Sequence, residues 1–275
     1  MNEVVKYENK VNTLSLTGFT AVELNLFMLL CAKTKDKGQE LIELDYVELK
    51  NLLGLEKQSD KYFHDELYKM SAKLTKINGN FKNDRKFVAF NLFSTFSGDL
   101  DTRTLTVRVN IDFQFLLNEL AKNFTRFELS EFVQLESKYS KNLYRLLKQY
   151  RRTGTYRVEA DKFRELMDCP KSYQNMYFMR DCVSVAVKEL SNGYFKNLKV
   201  IPIKAHKRGA PIVAYEFTFK PTKDIPGQFN LDYYQDEEPK KQTRRTGKNP
   251  KNRFNNFHQR EYDYDAMEKQ LLKSE

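Results

Sequence analysis

At 275 residues the chain is long enough for one large domain or two of ordinary size. Hydrophobic residues make up 40%, with 21 Phe, 16 Tyr and no Trp, which is enough to build cores. A net charge of +10 and a pI near 9.2 point to an anionic partner, with nucleic acid first and a membrane surface second.

Met1-Asn2-Glu3 lacks the basic region and apolar run of a signal peptide. The longest apolar stretch, Leu24 to Ala32, is short and interrupted by Asn25, so no bilayer span is expected. Cys31, Cys169 and Cys182 are odd in number and form no CxxC pair. They read as small apolar filler in a reducing cytoplasm, not as a disulfide framework or zinc site.

Thr20 to about Lys33 is predicted to be a helix with Leu24, Phe27, Met28 and Cys31 on one face. Thr20 and Glu23 have the spacing of a capping box, flanked by a Phe19–Leu24 hydrophobic staple. Leu41 to Leu44 reads as a short strand. Asp45 caps a second helix that Gly54 ends after Leu53. A third helix begins at Ser59 or Asp60, with Phe63, Leu67, Met70 and Leu74 in register. Strand-like runs follow at Phe87 to Phe93 and Leu105 to Val109. Helix, strand, helix, helix, strand, strand is the order of a winged helix, whose third helix enters a DNA groove.

The second half repeats that order. Phe124-Thr125-Arg126-Phe127-Glu128-Leu129 mirrors the Phe19 to Leu24 motif and predicts a second capping box. A helix of roughly six turns should then run from Glu128 to Tyr150. Thr155 to Val158 reads as a strand, Glu159 to Met167 as a helix closed by Pro170, and Asn175 to Leu190 as the third helix. Met176, Met179, Val183, Val187 and Leu190 of that helix should face the core. Leu198 to Ala205 and Ile212 to Phe219 form a hairpin, in which Pro202 belongs on an edge strand or bulge. Leu44, Leu49, Leu52 and Leu53 correspond at one constant offset to Val158, Phe163, Leu166 and Met167. The expected fold is therefore α+β and mainly helical. It places a first winged helix in 1–118, a second in 119–220 and a flexible charged tail in 221–275. Within the tail, residues 261–272 carry Tyr262, Tyr264, Met267, Leu271 and Leu272, a candidate partner-binding segment.

Catalytic signatures are missing. His64, His206 and His258 are widely separated, and no HxH pair stands near a Tyr as a rolling-circle nickase needs. There is no GxxxxGK[ST], HExxH or GxSxG. No enzyme activity, cofactor or metal is expected.

Nucleic-acid contacts are easier to place. Lys138, Lys141, Arg145, Lys148 and Arg152 fall on one helical stripe, opposite Phe132, Tyr139, Leu143, Leu146 and Tyr150. That stripe reads either as a solvated basic face or as a phosphate track. Lys171, Ser172, Tyr173, Gln174 and Asn175 open the third helix of the second half, where backbone N–H groups and side-chain donors can meet phosphate and base edges. Tyr177 and Arg180 lie further along it. Lys204, His206, Lys207 and Arg208 form a basic wing tip with Gly209. Lys57, Gln58 and Lys61 are the weaker set of the first half.

Phe124 to Gly154, FTRFELSEFVQLESKYSKNLYRLLKQYRRTG, resembles the most characteristic segment of the iteron-plasmid replication initiators, proteins with two winged-helix domains. FRELMDCPKSY (Phe163 to Tyr173) and KRGAPIVAYEFTF (Lys207 to Phe219) fit the same family, and the resemblance covers roughly Val11 to Phe219. It departs at Asp181-Cys182, where basic residues are expected. The resemblance implies a DNA-binding plasmid replication initiator that binds double-stranded origin direct repeats as a monomer. The second domain would read the repeat in the major groove. The first would add backbone contacts and form the homodimer that represses the protein's own gene at an operator inverted repeat. Bound arrays would bend DNA, help melt an adjacent A·T-rich segment and recruit host replication proteins such as a helicase or initiator. No membrane partner is implied. The competing readings are a winged-helix regulator of one inverted repeat and a nicking enzyme.

Overall fold

The computed structural model describes residues 3–14, 16–74, 77–82, 87–118, 123–206 and 210–222. The expected tail peptide at 261–272 and the wing-tip residues Lys207 and Arg208 lie outside them.

Strand β1 (Val4–Glu8) leads into a 3₁₀ helix, Asn9–Thr13, and helix α1 (Ala21–Thr34). The expected capping box starts α1. Thr20 N–H donates to Glu23 Oε2 at 2.7 Å, and Glu23 N–H donates to Thr20 Oγ1 at 3.3 Å. Every residue of α1 from Glu23 to Ala32 is buried, so it is a core helix and not an amphipathic surface one.

The first winged helix follows, with β2 (Ile42–Asp45), α2 (Tyr46–Leu53) and α3 (Asp60–Leu74). Asp45 accepts from Val47 and Glu48 N–H, and Gly54 closes α2 in the left-handed region at φ 69°. Strands β3 (Asn78–Lys82) and β4 (Phe87–Asn91) pair in a separate ribbon. The wing is instead β5 (Phe93–Asp99) with β6 (Thr104–Val109), in a sheet ordered β2-β6-β5. The run expected as one strand from Phe87 to Phe93 thus divides between two ribbons, with Leu92 buried at the division.

The second capping box does not form. Phe124–Glu128 is strand β7, paired antiparallel with β1 from Val4↔Glu128 to Glu8↔Phe124. Its burial alternates, with Thr125 and Phe127 inward, which is strand periodicity. Thr125 Oγ1 donates to Asn9 Oδ1 and accepts from Asn12 Nδ2, so its hydroxyl serves the N-terminal segment. This ribbon joins residues 4–8 to 124–128 across the expected 118/119 division.

The expected six-turn helix is likewise two helices, α4 (Leu129–Gln134) and α5 (Lys138–Gln149). Leu135 is extended at the break, and Ser137 caps α5 by accepting from Tyr139 N–H at 3.1 Å. Around it Phe127, Phe132 and Tyr144 pack with ring centroids 5.3–5.9 Å apart.

The second winged helix comprises β8 (Thr155–Glu159), α6 (Ala160–Leu166), a helical rod and a hairpin. The rod runs through α7 (Asn175–Tyr177), a π-helical stretch Phe178–Val183 and α8 (Ser184–Ser191). Strands β9 (Lys199–Lys204) and β10 (Ile212–Thr218) complete a sheet ordered β8-β10-β9. Pro202 lies on the edge strand β9, as its missing N–H requires. The π stretch shifts the rod's buried face to Phe178, Cys182, Val183, Ala186 and Leu190. Val183 and Leu190 were expected there. Met176 is instead 64% exposed, and Met179 and Val187 are half-buried. Among the described residues no helix is long and apolar enough to cross a membrane.

Candidate nucleic-acid interface

The basic stripe of α5 is inside the protein. Arg145 is 0% exposed and Lys141 1%. Arg145 Nη1 donates to Val11 O at 3.3 Å and Asn12 O at 3.2 Å, Nη2 to Leu14 O at 3.4 Å, and Nε to Asn142 Oδ1 at 3.3 Å. The guanidinium thus caps the carbonyl end of the 3₁₀ helix, where unpaired oxygens are costly. Lys141 Nζ donates to Phe132 O at 2.6 Å and Val133 O at 3.3 Å, capping α4 at the break. Burial pulls its pKa down to about 7 against the opposing charge of Glu189.

The stripe's outer members are paired as well. Lys138 Nζ lies 2.8 Å from Asp168 Oδ2, which also accepts from Gly18 N–H at 3.1 Å. Lys148 Nζ lies 2.7 Å from Glu131 Oε2, which Tyr144 also contacts. Burial raises the Glu131 pKa, but these two hydrogen bonds outweigh it and leave the carboxyl below its ordinary value. Lys138, Lys141, Arg145 and Lys148 therefore hold the fold together and do not form a phosphate track. Arg152 is half-buried beyond the end of α5.

The segment leading into the rod is different. Lys171, Ser172, Gln174, Asn175, Tyr177 and Arg180 are all exposed, and Tyr173 is half-buried. The turn is held from beneath by Arg164 of α6, a residue that the sequence reading missed. Its Nη2 donates to Tyr173 O, and its guanidinium lies 4.6 Å from the Phe178 ring centroid. Tyr173 N–H donates to Pro170 O at 3.0 Å, closing the turn. The result is a supported row of polar side chains whose outer faces meet solvent. Such a row can donate to phosphates and to base edges.

Lys204 and His206 stand exposed at the base of the wing tip. In the first winged helix Lys57, Gln58 and Lys61 are exposed, and they share their surface with Asp65. Lys50 of α2 holds this turn, with Nζ 3.1 Å from Gln58 O and 2.5 Å from Asp60 Oδ1. Lys50 and Arg164 stand at the same offset as Leu49 and Phe163, so the support is duplicated with the fold. Among the described residues no group of three or more His, Cys, Asp or Glu could hold a metal ion.

Comparison with known proteins agrees with this architecture. The family model described as "Initiator Replication protein, WH1" matches residues 4–148, and "Initiator Rep protein, WH2" matches 159–219. A "Probable replication protein rep" of Bifidobacterium longum (strain NCC 2705) is 39% identical over 172 residues. That match covers 62% of this chain and spans 58% of the relative's length. Among solved structures, a Pi initiator protein in complex with iteron DNA superposes with a TM-score of 0.59 at 15% identity. The alignment covers 81% of this chain and 99% of that one, and it supports the tandem winged-helix fold. With two winged helices matched in order along its length, the chain belongs to the family of replication initiator proteins.

Proposed function

We propose that the protein initiates plasmid replication by binding direct repeats in duplex origin DNA through its second winged helix. The observation that carries this reading is the exposed row Lys171, Ser172, Gln174, Asn175, Tyr177 and Arg180, on and just beyond a turn clamped by Arg164. The family membership, the replication protein related to this chain and the iteron complex of the structurally similar initiator support it. On this reading the wing adds phosphate contacts from Lys204 and His206, and the first winged helix adds weaker contacts from Lys57, Gln58 and Lys61. The protein works by binding and has no chemical step of its own. It acts in the cytoplasm, recruits host replication proteins to the opened duplex, and represses its own gene as a dimer on an inverted repeat.

The test is a footprint of the full chain on the DNA flanking its gene. Regular protection of tandem repeats, weakening steeply with salt, is the expected result. A single protected palindrome over the promoter would replace the initiator by a transcriptional regulator. DNA cleavage or covalent attachment in the presence of a divalent metal would replace it by a nicking enzyme.

A further inference from the structure

The outward face of the rod carries one acidic residue next to an arginine, in a place where neighbours in sequence do not ordinarily meet. Successive residues of an α-helix point to different sides. Arg180 and Asp181, both in the π-helical stretch Phe178–Val183, nonetheless meet, because the long arginine side chain reaches across to the aspartate. There they form a two-point pair. Arg180 Nε donates to Asp181 Oδ1 at 2.6 Å, and Nη2 donates to Oδ2 at 2.9 Å. The guanidinium carbon also lies 5.1 Å from the Tyr177 ring centroid. One edge and one face of the guanidinium are thus fixed.

Arginine has five N–H donors in a rigid fork. Asp181 occupies one on Nε and one on Nη2. The Nη1 donors take no part in that pair, and the Arg180 side chain is 64% exposed. The end-on edge presents two parallel donors, which match the O6 and N7 acceptors of guanine in the major groove. So exposed a pair adds little to folding stability, so its consequence is orientation. The carboxylate also repels a phosphate brought to the same arginine, which disfavours a backbone contact there.

We propose that Asp181 is a positioning residue that holds Arg180 for two-point recognition of one guanine. This rests on the reading that the rod lies in the DNA groove, and it assigns a role to the acid that departs from the family's expected basic pattern.

The experiment selects a preferred site for the full chain from duplexes with a randomised segment. Affinities are then measured for that site and for each single base-pair variant of it. Four further proteins are compared: Arg180→Ala, Asp181→Asn, the double variant, and Asn175→Ala. The unaltered protein should prefer G·C at one position by about 10-fold. Arg180→Ala should abolish that preference and leave the others. Asp181→Asn should remove most of it while tightening binding to randomised duplex, because a negative charge is lost. The double variant should lose no more than Arg180→Ala does.

Full retention of the preference by Asp181→Asn would overturn the positioning role. An equal loss on all sequences from Arg180→Ala would make Arg180 a phosphate contact and overturn it too. Asn175→Ala separates groove reading by the rod from orientation of Arg180 by Asp181. If it relaxes a different position, the rod still reads DNA even where the Asp181 effect is missing. If no protein prefers any sequence, the groove-reading role of the rod itself falls.

Discussion

Lys141 and Arg145 of α5 point their charges at backbone carbonyls inside the protein, whereas Lys171 and Arg180, on either side of the start of the rod, stand in solvent. Both regions present cations that sequence alone offers as DNA contacts, yet those cations do opposite work. On α5 the charges satisfy the carbonyl ends of two short helices, and thereby fasten the N-terminal segment to the second half. At the rod the cations have a supported backbone beneath them and room for a polyanion above. A positive residue is evidence for DNA contact only where some of its donors stay exposed once the protein's own carbonyls and carboxylates are served, as on Arg180 beside Asp181.

The largest effect expected from this contrast is on stability. Arg145→Ala leaves the carbonyls of Val11, Asn12 and Leu14 without their shared donor. It should lower unfolding free energy by roughly 3 kcal/mol, measured by denaturant titration. A variant that keeps its stability but loses DNA binding would reverse the assignment of α5.

Lys141 gives the next effect, through pH. Its folded pKa, about 7, lies below its ordinary value of 10.5, so between those limits the unfolded chain binds more protons. Its contribution to stability should therefore rise from pH 7 to pH 9, by up to about 1.4 kcal/mol per pH unit. It should be lost as pH falls through 7. Lys141→Met should flatten that slope; an unchanged slope would show that the amine is solvated.

A smaller effect separates the two winged helices. Arg164→Met withdraws the clamp under the Lys171 to Asn175 turn and should weaken binding to the preferred duplex about tenfold. Lys50→Met, at the equivalent position of the first winged helix, should leave base preference unchanged. Equal losses of preference from both variants would mean that both modules read sequence. Smallest of all, Lys171→Ala should leave the unfolding midpoint in place and reduce the salt slope of binding by about one. An unchanged slope would remove Lys171 from the phosphate contacts.

Reading from sequence was most successful where a local hydrogen bond sets the structure. The Thr20–Glu23 box, the Asp45 cap and the Gly54 stop all depend on residues close in the chain. The apolar positions repeated at constant offset identify the paired modules for a related reason: each module must bury its own short helices. The candidate site was legible in part. Lys171, Ser172, Gln174 and Asn175 stand outside while Tyr173 is half-buried, and the clamp from Arg164, like that from Lys50, left no local signal.

Sequence alone thus determined the tandem winged-helix order and the exposed turn before the rod, because helix caps, turn residues and apolar periodicity act over a few residues. Tertiary structure decided the rest. Thr125 and Glu128 had the spacing of a capping box, but distant Val4–Glu8 offered a full set of backbone partners and drew them into a strand. The basic stripe of α5 had the spacing of a solvated face, but the carbonyl ends of Asn9–Thr13 and α4 came to rest on it. A buried cation and an exposed one look alike in a sequence. The difference lies in which distant oxygens pack against them.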